Sequence, residues 1–278
     1  MSGLQVLLSL YGNLEMEQAI FISNVENLKY YNASFSRLYF GNEFCEHLIP
    51  SISDLEQVLD FAWANSLDFS FVTPYVTDKG LKRLDILLTK MAQKKPHSEV
   101  VFNDYGVLRL LNNRYHELEP VMGRLLNRMK RGPRLMMVID KMPQSTVEYF
   151  RSSNLTVSVL CKFLNENRVR RVELDNVLQG IDLALDGLQA SLYAPFAYVT
   201  TTRFCLVNSC DMPERKDMIG IFPCKKECQR YTFYLSNPVM PVTLIRKGNT
   251  IFFENEALPD GMEDKGINRL VIEPVIPM

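Results

Sequence analysis

Six cysteines are the residues of this sequence whose type and spacing could do chemistry. Cys224 and Cys228 flank the polar segment Lys225-Lys226-Glu227, which is difficult to bury as core, so this pair is placed to chelate. Cys205 lies upstream, just beyond a predicted strand, and Cys45 follows another predicted strand. In a parallel barrel the C-terminal ends of all strands share one face, so these four thiols are expected to converge.

Four converging thiolates are ligands for iron or zinc. Cysteine-only ligation is the usual way to hold an iron–sulfur cluster, and four cysteines also make a closed tetrahedral zinc site. The favoured prediction is a cluster on Cys45, Cys205, Cys224 and Cys228, with zinc as the alternative. The two other cysteines, Cys161 and Cys210, are interpreted as small buried hydrophobic residues.

Composition limits the class of protein. The chain has 278 residues, 47% of them hydrophobic, which suits one large domain or one domain with a small appendage. Lys plus Arg total 31 and Asp plus Glu total 32, so no overall field favours nucleic acid or an anionic membrane. No stretch reaches about 18 consecutive apolar residues and no cleavable leader is recognised, which predicts a cytoplasmic protein without a membrane span. Reducing conditions there argue against a disulfide framework.

Short β-rich runs alternate with helical periodicity along the chain. Eight runs are predicted as barrel strands: Leu4–Leu10, Arg37–Phe40, Asp68–Thr73, Glu99–Phe102, Arg134–Ile139, Thr156–Leu160, Val169–Leu174 and Ser191–Val199. Amphipathic helices are predicted after Ser53-Asp54 and after Thr77. The fold class is therefore α/β, a TIM-type (β/α) barrel that is complete or nearly so. Residues 1–230 form the barrel in this interpretation, and residues 231–278 form a small antiparallel β appendage.

Three segments resemble the collagenase-like peptidase family U32, and in particular its branch of oxygen-independent ubiquinone biosynthesis proteins. They are Leu38-Tyr39-Phe40-Gly41 followed by Cys45, Asn103-Asp104-Tyr105-Gly106-Val107-Leu108-Arg109, and Arg203-Phe204-Cys205 with Cys224 and Cys228. The resemblance implies a 4Fe-4S cluster on Cys45, Cys205, Cys224 and Cys228. It also implies a paralogous partner protein and an oxygen-independent hydroxylation of an organic substrate.

Three hypotheses follow for function. The first is a redox or hydroxylation component that carries a cluster, and the second is a carrier or assembly subunit whose metal is structural. The third is a peptidase, but the peptidase signature has a glutamate, an aromatic residue and a glycine where this chain has Ser191-Leu192-Tyr193-Ala194-Pro195-Phe196.

Other polar residues have two interpretations each. Asp104 follows a predicted strand and is the candidate catalytic residue, although a helix N-cap explains it equally well. His47, two residues after Cys45, is either a proton carrier near the metal or a solvated loop residue. The basic run from Arg124 through Arg128 and Arg131 to Arg134 is interpreted as the solvated C-terminal face of a helix, with a patch that binds RNA or an anion as the alternative.

Overall fold

The computed structural model describes residues 16–185, 187–215, 218 and 222–278. Eight parallel strands close into a barrel in the order β1-β12-β7-β6-β5-β4-β3-β2, which confirms the predicted fold class. The barrel strands are β1 (Glu17–Ile22), β2 (Arg37–Gly41), β3 (Asp68–Val72), β4 (Glu99–Phe102), β5 (Glu119–Met122), β6 (Arg171–Asp175), β7 (Gln189–Ala194) and β12 (Ile267–Ile272).

Helices cover one side of this barrel. They are α1 (Ile52–Ala64), α2 (Asp78–Lys94), α3 (Tyr105–Arg114), α4 (Gln144–Arg151) and α5 (Ser158–Glu166). The first begins with a capping box between Ser51 and Asp54, and the second is capped by Thr77 as predicted. Both bury the apolar stripe that their periodicity indicates, and these stripes join the main core.

The remaining strands form a second sheet above the C-terminal end of the barrel. Its order is β8-β11-β10-β9, built from β8 (Phe196–Thr201), β9 (Phe233–Leu235), β10 (Leu244–Lys247) and β11 (Thr250–Glu254). Every pair in it is antiparallel, as predicted for the runs after Cys228. Phe196 and Phe252 pack against Phe44 of the barrel loop, so the sheet covers the barrel mouth.

Two predicted strands are wrong. Arg134–Ile139 falls in short 3₁₀ turns, because Leu135 and Ile139 are buried four residues apart while the intervening Met137 is exposed. Thr156–Leu160 runs into helix α5, where Val159 is 76% exposed and Leu164 faces the core. The predicted strand Leu4–Leu10 lies outside the described residues.

Three barrel strands, β1, β5 and β12, were not predicted. The last has the largest consequence, because β12 pairs with β1 on one side and β7 on the other and thereby closes the barrel. The predicted run Ser191–Val199 also divides at Pro195 into β7 of the barrel and β8 of the second sheet. The second sheet is therefore an insertion between two barrel strands, and a boundary at residue 230 does not separate it from the barrel.

Candidate functional site

The loop after β2 places Cys45. Gly41 has φ +136°, and a Cβ there would lie 2.1 Å from the carbonyl oxygen of Val72, so only glycine fits against the neighbouring strand. The side chain of Asn42 then accepts hydrogen bonds from the backbone amides of Phe44 (3.0 Å) and Cys45 (2.9 Å). This Asx turn fixes the loop, so that Phe44 points into the core and Cys45 lies at its edge.

The segment between β8 and β9 places the other three cysteines. Its anchor is Glu227, which is 2% exposed and accepts hydrogen bonds from the backbone amides of Ser209 (3.0 Å) and Lys225 (3.2 Å). These two bonds tie the turn after Cys205 to the turn that contains Cys224. The polar segment between the paired cysteines therefore holds the loop together from within, although the sequence suggested only that it is hard to bury.

All four cysteines singled out from the sequence line one cavity of about 500 Å³. His47, Arg203 and Asn208 supply polar groups to its wall, and Phe204 and Leu206 supply exposed apolar ones. The remaining lining residues among those described are Leu48, Met218, Phe222, Glu227, Gly248, Asn249 and Met278. This space is called the cysteine cavity below.

Hydrogen-bond donors face each of the four sulfur atoms. The backbone amide two residues further along the chain approaches the thiols of Cys45 and Cys205, and the amide of Lys226 is 3.4 Å from Cys224 Sγ. Gln229 Nε2 is 3.6 Å from Cys228 Sγ. Such donors favour the thiolate, which is the form that binds metal, and they tune the potential of a ligated iron–sulfur cluster.

Three of these thiols, those of Cys45, Cys205 and Cys228, have raised pKa values. Burial is the largest cause of the raised pKa of Cys45, about 11, and the nearby thiols of Cys228, Cys224 and Cys205 raise it further. Burial also raises the pKa values of Cys205 and Cys228. The four cysteines line the same cavity, so a charge on one thiol acts on the others. Because a negative charge on one thiol disfavours a charge on the next, a positive metal centre would lower the pKa values of Cys45, Cys205 and Cys228 together.

Lining one cavity does not by itself make the four thiols a metal site. In the described part of the chain, no group of three or more His, Cys, Asp or Glu is arranged so that it could hold a metal ion. Cys161 and Cys210 do not line the cavity: Cys161 Sγ is 3.0 Å from the carbonyl oxygen of Leu155, and Cys210 is exposed instead of buried as the sequence suggested.

Asp104 has the contacts of a helix cap. Its side chain accepts from the backbone amide of Gly106 at 2.7 Å, at the start of α3, and from the amide of Val76 at 3.2 Å. It is not among the residues that line the cysteine cavity, whereas His47 is. Backbone amides therefore already engage both carboxylate oxygens of Asp104.

A buried charge cluster at the barrel mouth was not predicted. Arg124 is fully buried and donates to Glu43 (Nε, 3.0 Å), to Asp175 (3.2 Å) and to Glu273 (2.7 Å). Arg131, 8% exposed, donates to Asp175 at 2.7 Å. The interpretation of this basic run as a solvated helix face is wrong for these two arginines, because the chain here crosses the C-terminal end of the barrel and carboxylates from three strand ends face it. We call these five residues the Arg124 cluster.

Fold and site together define the class: a closed parallel barrel with an inserted antiparallel sheet and a cavity lined by four cysteines. No helix among the described residues is long and apolar enough to cross a membrane. No protein-family model matches the chain, and no curated protein matches it.

Solved structures that match the chain include a U32 peptidase, Mk0906, at 11% identity and a TM-score of 0.42, covering 93% of this chain and 92% of that one. A Group IV chitinase of Ostrinia furnacalis in complex with allosamidin has 8% identity and a TM-score of 0.36, covering 93% and 91%. SuiB of Streptococcus suis bound to its precursor peptide SuiA has 13% identity and a TM-score of 0.29, covering 62% of this chain and 42% of that one. These values are too low to transfer an activity.

Proposed function

We propose that this protein binds a 4Fe-4S cluster through Cys45, Cys205, Cys224 and Cys228 and takes part in an oxygen-independent hydroxylation or a related redox step. The observation that carries the proposal is the cysteine cavity, which is lined by four thiols from two loops far apart in the sequence. The donor set is suitable because cysteine thiolates are the usual ligands of such clusters. Bound there, the cluster would supply one-electron chemistry.

Two features of the site favour iron–sulfur over zinc. A tetrahedral zinc site with Zn–S bonds of about 2.3 Å brings its sulfur atoms within about 4 Å of one another. Each cysteine of a 4Fe-4S cluster binds a different iron atom, so its ligands are more widely spaced, which suits four thiols that line a space of about 500 Å³. The donors that face the four sulfur atoms also match the hydrogen bonding by which proteins tune cluster potential.

The protein's own groups give the cavity a second task, the binding of an organic substrate. Arg203 is held over the ring of Tyr75, 5.1 Å from its centre, at the edge of the site. The exposed side chains of Phe204 and Leu206 offer apolar contact beside it. A cation next to apolar side chains binds and orients a molecule with a polar or acidic group on an apolar body. We also propose that the protein acts in the cytoplasm together with a paralogous partner protein.

The test is to purify the full-length protein without oxygen, to quantify iron and sulfide, and to record absorption and EPR spectra. We expect about four iron and four sulfide per chain, as the cluster type requires, and a reversible change of the spectra on reduction. Cys224→Ser should lose the cluster signals. The matched control is Cys210→Ser, which changes an exposed cysteine of the same segment outside the cavity lining.

The alternatives give different results. If the anaerobic protein contains zinc and no iron, the cluster proposal is wrong, and the function as a carrier with a structural metal is supported. Peptide cleavage by wild-type protein that persists in folded Cys224→Ser would contradict the redox proposal. Asp104→Asn tests the remaining catalytic candidate. If this variant keeps the full redox activity of the wild-type protein, Asp104 acts only as the helix cap that its contacts indicate.

A further inference from the structure

Met278 lies between the cysteine cavity and two outer grooves. Met278 is 4% exposed and lines the cysteine cavity. It also lines a groove of about 420 Å³ beside Asn27 and Lys247, and another of about 620 Å³ beside Arg83 and Lys226. Ser23, Asn24 and Gln229 line both of these grooves, which adjoin the end of β1. One residue therefore forms part of the wall of all three cavities.

The same wall covers Cys228. A Cβ built on Gly248 would lie 2.5 Å from Met278 Cε, 3.1 Å from Cys228 Cβ and 3.7 Å from Cys228 Sγ. The methyl end of Met278 therefore packs on Gly248 directly beside this cysteine. On the groove side, Gln229 donates to Cys228 Sγ at 3.6 Å. The sulfur thus lies between the cysteine cavity and a polar side chain that belongs to the outer grooves.

The contacts that hold Met278 are suited to movement. Its side chain has three rotatable bonds, and the core cluster in which it packs is apolar. Its main chain is held independently, by the bond from its amide to the carbonyl of Ile276 at 2.8 Å and by a long bond from Ser23 Oγ to its carbonyl at 3.4 Å. A change of rotamer would therefore move the wall without moving the backbone.

We propose that Met278 is a gate, and that the grooves behind it are a second route by which small polar molecules or ions reach Cys228. The front of the cysteine cavity, with Arg203, Phe204 and Leu206, is left for the organic substrate. The walls of the grooves include the polar residues Asn24, Gln229 and Lys247, so they suit a hydrophilic molecule or ion better than an apolar one. This proposal rests on the proposed function in one respect: it takes the four cysteines as the functional site.

The test compares rates of alkylation by iodoacetamide, a small neutral reagent, in the full-length protein after metal removal and reduction. Peptide mass spectrometry reports each cysteine separately. Because a minor open state is typically populated at 10% or less, Met278→Ala should raise the rate at Cys228 by about tenfold or more and leave Cys224 within about twofold. Met278→Leu keeps most of the volume and should stay near wild type. Met262→Ala, which shortens another buried methionine away from the site, is the matched control.

Two outcomes would overturn the gate: an unchanged rate at Cys228 in folded Met278→Ala, or an equal increase at all four cysteines, which indicates general loosening. If Met278→Ala does not fold, Met278→Val removes the same methyl end with less loss of volume and is read in the same way. Absence of iron from the native protein would contradict the proposed function but leave this measurement valid, so the two failures are distinguishable.

Discussion

Replacing Arg124 by methionine should strongly destabilise the fold. The side chain is fully buried and supplies the cation for three buried carboxyl groups, of which only Asp175 keeps another arginine, Arg131, after the change. Glu43 loses its only salt bridge among the described residues, and Glu273 loses the hydrogen bond that it accepts from Arg124. Methionine fills much of the space, so the change removes charge and hydrogen bonds more than volume.

The loss of unfolding free energy follows from the cost of protonating the buried carboxyl groups that remain without Arg124. Burial, followed by nearby carboxylates that include Glu43, raises the pKa of Glu273 to about 8 despite Arg124, so that group already holds a proton at pH 7. Neutralising one further glutamate at pH 7 costs about 3.7 kcal/mol, from 1.36 kcal/mol for each unit between an ordinary pKa of about 4.3 and pH 7. This agrees with the roughly 3–5 kcal/mol for breaking a buried ion pair. It is a large part of a typical free energy of unfolding of about 5–15 kcal/mol.

Urea unfolding followed by circular dichroism measures this free energy. Fluorescence is less suitable, because Trp63 is 81% exposed and reports little on the core. The control is Arg128→Met, an exposed arginine of the same run, which should change stability by less than about 0.5 kcal/mol. Adding Glu43→Gln to Arg124→Met should recover part of the loss. A cost below about 1 kcal/mol for Arg124→Met would refute the reasoning.

Three further predictions concern single groups. Since the pKa of Glu273 is raised from 4.5 to about 8, folding binds a proton there; its contribution to stability is complete below about pH 4.5 and is lost as the pH rises through 8. Glu273→Gln should reduce the pH dependence of the urea midpoint in that range, and an unchanged dependence would contradict this. Asp104→Ala should cost about 1 kcal/mol through loss of the α3 cap without altering iron content; an altered iron content would instead connect it to the site. Gly41→Ala should destabilise by more than about 1–3 kcal/mol, because positive φ and a backbone clash add, and a near-neutral melting temperature would refute it.

The sequence pattern predicted those strands and helices whose apolar runs, caps and apolar stripes match the burial that they have in the fold. Strands such as Asp68–Val72 are short, apolar and bounded by polar residues, and α1 and α2 carry caps and apolar stripes. The strand β5 is only four residues long and contains Pro120, so its local signal is weak. The pairing of β12 with β1 joins segments far apart in the sequence, and no local pattern reports such a pairing.

That the four cysteines line one cavity could be predicted in part, because their loops lie at the same end of the barrel. The reason given for Cys205 was only partly correct, since it follows β8 of the inserted sheet and not a barrel strand. The Arg124 cluster could not be predicted from its own segment, because an arginine run gives the same local signal whether it faces water or buried carboxylates. Its only sign was Asp or Glu at the ends of strands, as at Asp175 and Glu273.

The position of β12 in the chain has a consequence for biosynthesis. Synthesis proceeds from the N-terminus, so β1 to β7 emerge first, and the edges of β1 and β7 stay unpaired until Ile267–Ile272 leaves the ribosome. The whole inserted sheet, with three of the four cavity cysteines, is made during that interval. Such non-local closure is slow and exposes strand edges to aggregation. A nascent chain arrested before residue 267 is therefore expected to be a preferred substrate for chaperones, whereas one extended past residue 272 is released.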